Sequence, residues 1–319
     1  MTTQQLGAFQ AAADFWSSKL TDKVTVYMDI GFGALAPNVL GGAYSTFAST
    51  SYASIRNRLA LDASSALDVS AVAHLQSGPA LSFLATQGDL TSRLDNDAST
   101  NNTQMGLTTA NAKAMGFTVN TSALNPDAAL IFASGYADKF VYTRTGSVPA
   151  NRTDFITVAE HEIGHALGFS SGIDDIVSCA GASNPCGLLD TADRFEDDWW
   201  YEPLDLFRYS GVGALDVRAG GSPYFSVDGG STALESFSTG SLQGIGYQAS
   251  HFGLGGVNLM RPVVSQGTFY DASASDLAAF DAIGWDLAVA AVPEPETCAM
   301  LLAGLGAVGL ATRRRARTH

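Results

Sequence analysis

Residues 158–169 of this chain, Val-Ala-Glu-His-Glu-Ile-Gly-His-Ala-Leu-Gly-Phe, restrict its fold more than any other stretch. They contain the pattern His-Glu-x-x-His at His161, Glu162 and His165. On a helix, positions four apart are separated by about 400°, so the two imidazoles lie roughly 40° apart on one face, one turn above each other. Both ring nitrogens then reach a single metal ion at about 2.0–2.1 Å, the usual zinc–nitrogen distance. Glu162, one step around the helix, is placed to take a proton from a water at that ion. The chain has five His and seven Glu in 319 residues. A shuffled chain of that composition produces the pattern on the order of 0.001 times, so accident is a poor explanation.

The flanking residues fit a buried helix. Phe155, Ile156, Val158, Ala159, Ile163, Ala166 and Leu167 make it apolar on nearly all sides. Thr153 or Asp154 is the expected N-cap. Gly168 stands where a helix stops with positive φ.

The remaining chemistry is bounded by charge. A net charge of −14 argues against nucleic-acid binding, which needs basic patches. The acids divide into 24 Asp and seven Glu, and Lys occurs four times. That balance favours turns and caps over helix interiors, so long polar loops are expected. The Asp excess is compatible with bound calcium (Ca2+), although no loop has the regular spacing of a calcium motif. Cys179 and Cys186, seven apart, suit a loop-closing disulfide in an oxidising compartment. A second zinc site is the other reading of that pair, but no further Cys or His lies nearby.

Periodicity predicts a helix over Gln5–Leu20, a strand over Lys23–Ile30 and a Gly/Pro loop over Gly31–Gly42. An amphipathic helical region follows within Ser51–His74, then an exposed polar loop over Thr91–Thr109. Strands are expected at Ala128–Ala133, Phe140–Thr143, Leu204–Tyr209 and Pro223–Asp228, in an otherwise irregular, acidic 174–210 region. Ser273–Asp276 caps a last helix that buries Leu277, Phe280 and Ile283 and closes at Gly284. Residues 1–9 have no basic n-region and no apolar h-region, so they do not read as a signal peptide. A longer precursor or a removed leader is therefore expected.

The extended pattern His161-Glu-x-x-His165-x-x-Gly168 resembles the metzincin metallopeptidases. That family usually places its third ligand, His or Asp, three residues beyond the glycine. Here Ser171 stands there, a poor zinc ligand. His74 lies upstream and reads as a surface or capping residue, and His319 lies at the tail end, so His251 is the best remaining candidate. Met260 follows nine residues later and resembles the Met-turn, the apolar floor of metzincin sites. A distant third His before such a turn is similar to the leishmanolysin-type arrangement, with 169–250 as the insertion. Asp174 or Asp175 is the second candidate for the third ligand, and a Glu the third.

The resemblance implies an α+β metzincin-like domain over 1–290: a twisted mixed sheet, an active-site helix, a Met-turn and a C-terminal helix. It implies a zinc endopeptidase acting on polypeptide, with Glu162 as general base and His161, His165 and His251 on Zn2+. It also implies that the strand before the helix, Ala128–Ala133, pairs with extended substrate. A non-catalytic surface or matrix protein with a structural zinc site is the alternative. Glu162 argues against it, because a structural site has no use for a free carboxylate between its ligands. A zinc hydrolase of non-peptide bonds is a third reading, and Gly168 and Met260 argue against that one by resemblance.

From Val292 the composition changes. Pro293-Glu-Pro295, a 14-residue uncharged apolar run over 298–311 and an Arg cluster over 313–317 follow one another. Fourteen residues are short of the ~20 needed for a spanning helix. This 291–319 tail resembles the PEP-CTERM sorting signal. The resemblance implies export in a Gram-negative bacterium, to the cell envelope or beyond it. It also implies transient membrane association through 298–311 and processing by an exosortase.

Overall fold

In the computed structural model, residues 1–86, 91–179, 194–198, 201–241 and 244–288 are described. The chain divides into a compact unit, Met1–Leu287, and a second unit, Ala288–His319. The compact unit is of mixed α+β class.

Its elements in chain order begin with α1 (Thr3–Lys19), β1 (Met28–Gly33), β2 (Gly41–Ser45), β3 (Phe47–Ser51), α2 (Tyr52–Asp62) and α3 (Ala66–His74). There follow β4 (Phe83–Thr86), β5 (Ser92–Asp95), α4 (Thr100–Thr103), β6 (Gln104–Thr108), α5 (Thr109–Ala114) and β7 (Ala128–Ala133). Then come β8 (Phe140–Val141), β9 (Thr153–Asp154), α6 (Phe155–Ala166), α7 (Ile173–Cys179) and α8 (Arg194–Asp197). The last are β10 (Arg208–Gly211), β11 (Ala214–Val217), β12 (Tyr224–Phe225), β13 (Glu235–Ser236) and α9 (Ala274–Ala282).

A three-stranded mixed sheet in the order β1-β7-β2 lies beside α6, with β1 parallel and β2 antiparallel to β7. Helices α1 and α6 pack together, and Trp16 donates its indole N–H to the Glu160 carbonyl at 2.8 Å. Phe155 anchors the start of α6 on the sheet, 4.7 Å from Phe132 and 5.7 Å from Phe32 between ring centroids. Arg144 bridges Asp154 at 2.8 Å and Glu160 at 3.0 Å, tying the first turns of α6 to the preceding loop.

Several sequence expectations need correction. The strand expected at Lys23–Ile30 starts at Met28 and continues through Gly31 and Gly33, which were expected in a loop. Glycine is tolerated there because the neighbour is close: a Cβ on Gly33 would stand 3.1 Å from Ile131 Cγ2. The 51–74 region is two helices, since Ser65 and Asp68 form a capping box that starts α3 afresh. The polar 91–109 stretch divides: 91–94 and 96–98 are exposed, as expected, whereas Asp95, Asn101, Asn102 and 105–109 are buried. Asp95 accepts from Asn101 at 3.1 Å and from Asn102 at 3.0 Å, so its polar residues satisfy one another. Residues 203–207 form a 3₁₀ turn, and the strand starts at Arg208.

Within the 169–250 segment, strands β10–β13 join β4 and β5 in a six-stranded sheet, in the order β13-β12-β10-β11-β4-β5.

Candidate metal centre

The two helical histidines are aimed by how α6 is held at each end. Asp154 is the N-cap, and its Oδ2 accepts from Thr157 N at 2.8 Å. At the other end Gly168 adopts φ +113°. Phe169 N donates to Gly164 O at 3.1 Å and Gly168 N to His165 O at 3.0 Å, the paired bonds of a Schellman turn. That turn brings the Phe169 carbonyl back under His165, whose Nδ1 lies 2.6 Å from it. Trp285 closes the same end by donating to Leu167 O at 2.8 Å.

His161 is oriented by the loop before α9. Its Nδ1 lies 2.8 Å from Leu259 O. Asp276, already in the α9 capping box, also accepts from Leu259 N at 2.8 Å and Met260 N at 3.0 Å. Met260 is fully buried, and its Sδ occupies the space beside Gly164: a Cβ there would stand 2.5 Å from it.

His251 comes from far along the chain to the same point. The Nε2 atoms of His161 and His165 are 3.0 Å apart, and each is 3.2 Å from His251 Nε2. His251 Nδ1 faces Gln248 O at 3.3 Å. With each Nδ1 turned to a carbonyl, the proton sits on Nδ1 and all three Nε2 lone pairs face inward. Burial pushes each imidazole down to about 3, reinforced by a neighbouring imidazole and opposed by the carbonyl contact. Three neutral, unprotonated nitrogens this close repel one another unless a cation sits among them. Tetrahedral zinc ligands are spaced about 3.3 Å apart, and a point about 2 Å from all three nitrogens exists. The donor set therefore fits zinc.

Glu162 is 6% exposed and lies against β2. Burial pushes its carboxyl up to about 8, with no donor or cation among the described residues to pull it down. A cavity of about 650 Å³ opens over these residues, walled by β2, by 170–175 and by 246–251 and 259–264.

The other expected positions fall as follows. Ser171 donates to Asp205 at 2.6 Å. Asp174 accepts from two backbone N–H groups through its two oxygens. Asp175 lines the cavity but is not in the histidine cluster. His74 is exposed, contacts Ser70 O at 2.8 Å and is not in the histidine cluster. Cys179 is disulfide-bonded, and Cys186 lies outside the described residues.

Ala128–Ala133 is not a free edge. It is the central strand β7, flanked on both sides, and the edge is β2. Leu40 O accepts from Ala133 N at 2.9 Å and Thr46 N donates to Asp127 O at 2.7 Å. By the two-residue alternation of an antiparallel ladder, Gly41, Ala43 and Ser45 turn their backbone groups outward. No sequence signal marked β2, because its Gly-Gly-Ala-Tyr-Ser lacks β-branched residues and follows a Gly/Pro stretch.

Residues 291–315 match the PEP-CTERM protein-sorting motif. That motif marks proteins exported and sorted to the cell envelope of Gram-negative bacteria, and it implies recognition by an exosortase. No curated protein and no solved structure matches the chain. No helix among the described residues is long and apolar enough to cross a membrane, and 298–311 lies outside them.

Proposed function

We propose that this chain is an exported, zinc-dependent endopeptidase of metzincin-like type. The observation that carries the reading is the convergence of three inward-facing Nε2 atoms beside a carboxylate that has no partner among the described residues. His161, His165 and His251 would hold the ion. Bound zinc supplies Lewis-acid polarisation of a carbonyl and lowers the pKa of water toward ~7. Glu162, kept ionised by the cation that the three histidines would hold, would take the proton from the attacking water at a carboxylate oxygen and return it to the leaving amine nitrogen. The outward backbone groups of Gly41, Ala43 and Ser45 bind an extended substrate by strand addition. The cavity walls exclude bulk water around the scissile bond.

The non-catalytic alternative is less well supported. Structural zinc sites are closed by four protein ligands. This cluster offers three among the described residues and faces a cavity.

The test is peptide-library cleavage by the purified chain with zinc content measured alongside. Turnover that is lost in Glu162→Ala while zinc is retained supports the reading. Zinc-loaded wild type that cleaves nothing, indistinguishable from Glu162→Ala, would overturn it.

A further inference from the structure

The third histidine lies 86 residues beyond His165 in the chain. Zinc geometry is satisfied only if its ring is held to a few tenths of an ångström. Asp174 provides a direct tie. It sits in the first turn of α7, which follows α6 through the short turn at Gly168. Its Oδ1 accepts from Ala249 N at 2.6 Å and its Oδ2 from Ser250 N at 3.0 Å. These are the backbone N–H groups of the two residues immediately before His251.

The opposite side of the same peptide is held by Arg208, which is fully buried at the start of β10. It donates to Ala249 O at 3.3 Å and to Ser238 O at 2.5 Å. Ser238 N in turn donates to His251 O at 2.9 Å. Asp205 anchors the turn before α7, accepting from Ser171 Oγ at 2.6 Å and Gly172 N at 3.0 Å. The backbone at 249–251 is thus gripped through its N–H groups by Asp174 and through its carbonyls by Arg208 and Ser238.

We propose that Asp174 is a positioning residue that registers His251 against the two histidines of α6, so that metal affinity depends on it although it is not a ligand. Both of its oxygens are taken by backbone N–H groups, and the nitrogen triangle is complete without it. The physical point is that α7 is covalently continuous with α6. A ligand tied to α7 keeps its distance from His161 and His165 even if the intervening sheet shifts. A carboxylate suits the task because its two oxygens accept two consecutive N–H groups at once. Asp174 is half-buried, and the N–H groups that it takes belong to buried Ala249 and Ser250, which limits competition from water.

The inference rests on the zinc reading, and the experiment separates the two. Zinc affinity is measured by chelator competition on the full chain, wild type and His161→Ala, His251→Ala, Asp174→Ala and Asp174→Asn, with Asp174→Ala/His251→Ala as the double variant. Asp174→Ala is expected to weaken zinc binding about 10–100-fold, the usual effect of removing a group that orients a ligand. Asp174→Asn, which keeps one acceptor oxygen, is expected to fall between, and it decides the matter if the alanine variant does not fold. In the His251→Ala background the Asp174 change is expected to alter affinity less than about 2-fold, because nothing remains to be positioned. The visible spectrum of the cobalt-loaded Asp174 variant should shift toward that of His251→Ala. Equal losses in both backgrounds, or no loss in either Asp174 variant, would refute positioning while leaving the zinc site intact. If His161→Ala and wild type bind zinc alike, the zinc reading itself is wrong and the inference falls with it.

Discussion

A Cβ placed on Gly41 would stand 2.7 Å from Oε1 of Glu162 and 2.9 Å from its Cγ. Strand β2 and the carboxylate of α6 therefore meet at a contact that a Cβ on Gly41 would crowd. Gly41→Ala should push Glu162 aside while leaving the histidines in place. Misplacement of about 1 Å at a catalytic group can cost on the order of 100-fold in rate. The expected outcome is a 10–100-fold fall in kcat/KM at unchanged zinc content, read by peptide cleavage and metal analysis. A matching loss of zinc would assign the glycine to the fold and not to the carboxylate.

Gly168 carries a different load. Its φ of +113° is unfavourable for any other residue, and a Cβ there would stand 2.8 Å from Asn111 Cβ. Gly168→Ala should lower stability by about 1–3 kcal/mol in urea unfolding, from backbone strain of that order. It should also weaken zinc binding, because the turn that presents Phe169 O to His165 opens. Unaltered zinc affinity in a destabilised variant would separate the turn from the site.

Met260 fills the space beneath the histidine pair with 0% exposure. Met260→Ala should cost about 2–5 kcal/mol through the cavity left behind. Met260→Leu should cost less than about 1.5 kcal/mol, since volume is conserved. Thermal or urea melts of the two variants check this, and similar losses would show that the sulfur, not volume, is what matters.

Removal of metal should lower the melting temperature, since an ion held by the folded state alone stabilises it by mass action. A chelator is expected to shift the melt of wild type downward and to have little effect on His161→Ala. Equal shifts in both would place the stabilising ion elsewhere.

A carboxylate group away from the site sets a pH dependence. Burial, with Asp286, Asp22, Asp68 and Asp281 around it, pushes Asp62 up from 3.8 to about 7. Burial pushes Asp22 and Asp281 up to about 6. The folded state then binds more protons than the unfolded state between pH ~4 and ~7, so stability falls as pH rises through that window. Asp62→Asn removes one such group and should flatten the slope of unfolding free energy against pH. A slope identical to wild type would show that neither burial nor its neighbours raise Asp62 in the folded state.

The His161–Glu162–His165 arrangement was legible because helical spacing alone sets which side chains share a face. The ends of α6 were legible for the same reason: a cap at Thr153 or Asp154, which the structure settles as Asp154, and Gly168 as stop act on backbone groups a few residues away. The capping box of Ser273 and Asp276 was visible too, but its second task was not. Nothing local shows that Asp276 also holds the Leu259–Met260 peptide beneath His161. Composition placed most of 91–98 correctly at the surface but misled over 101–109, because it reports polarity, whereas burial depends on whether polar groups find one another. The same limit hid β2, whose place at the sheet edge is set by pairing with β7, more than 80 residues later.

By itself, then, the sequence determined the local chemistry: two imidazoles on one helical face, a carboxylate beside them, caps at both ends and a sorting tail. His251 entered only as an expectation from a short histidine inventory. That its Nε2 comes within 3.2 Å of the other two was decided by tertiary structure, through the grip of Asp174 and Arg208 on the peptides before it. Tertiary structure also decided that Glu162 faces an open strand edge at Gly41. Helical periodicity acts over four residues and can be read along the chain. Long-range register arises from packing and buried hydrogen bonds between segments whose separation leaves no periodic trace.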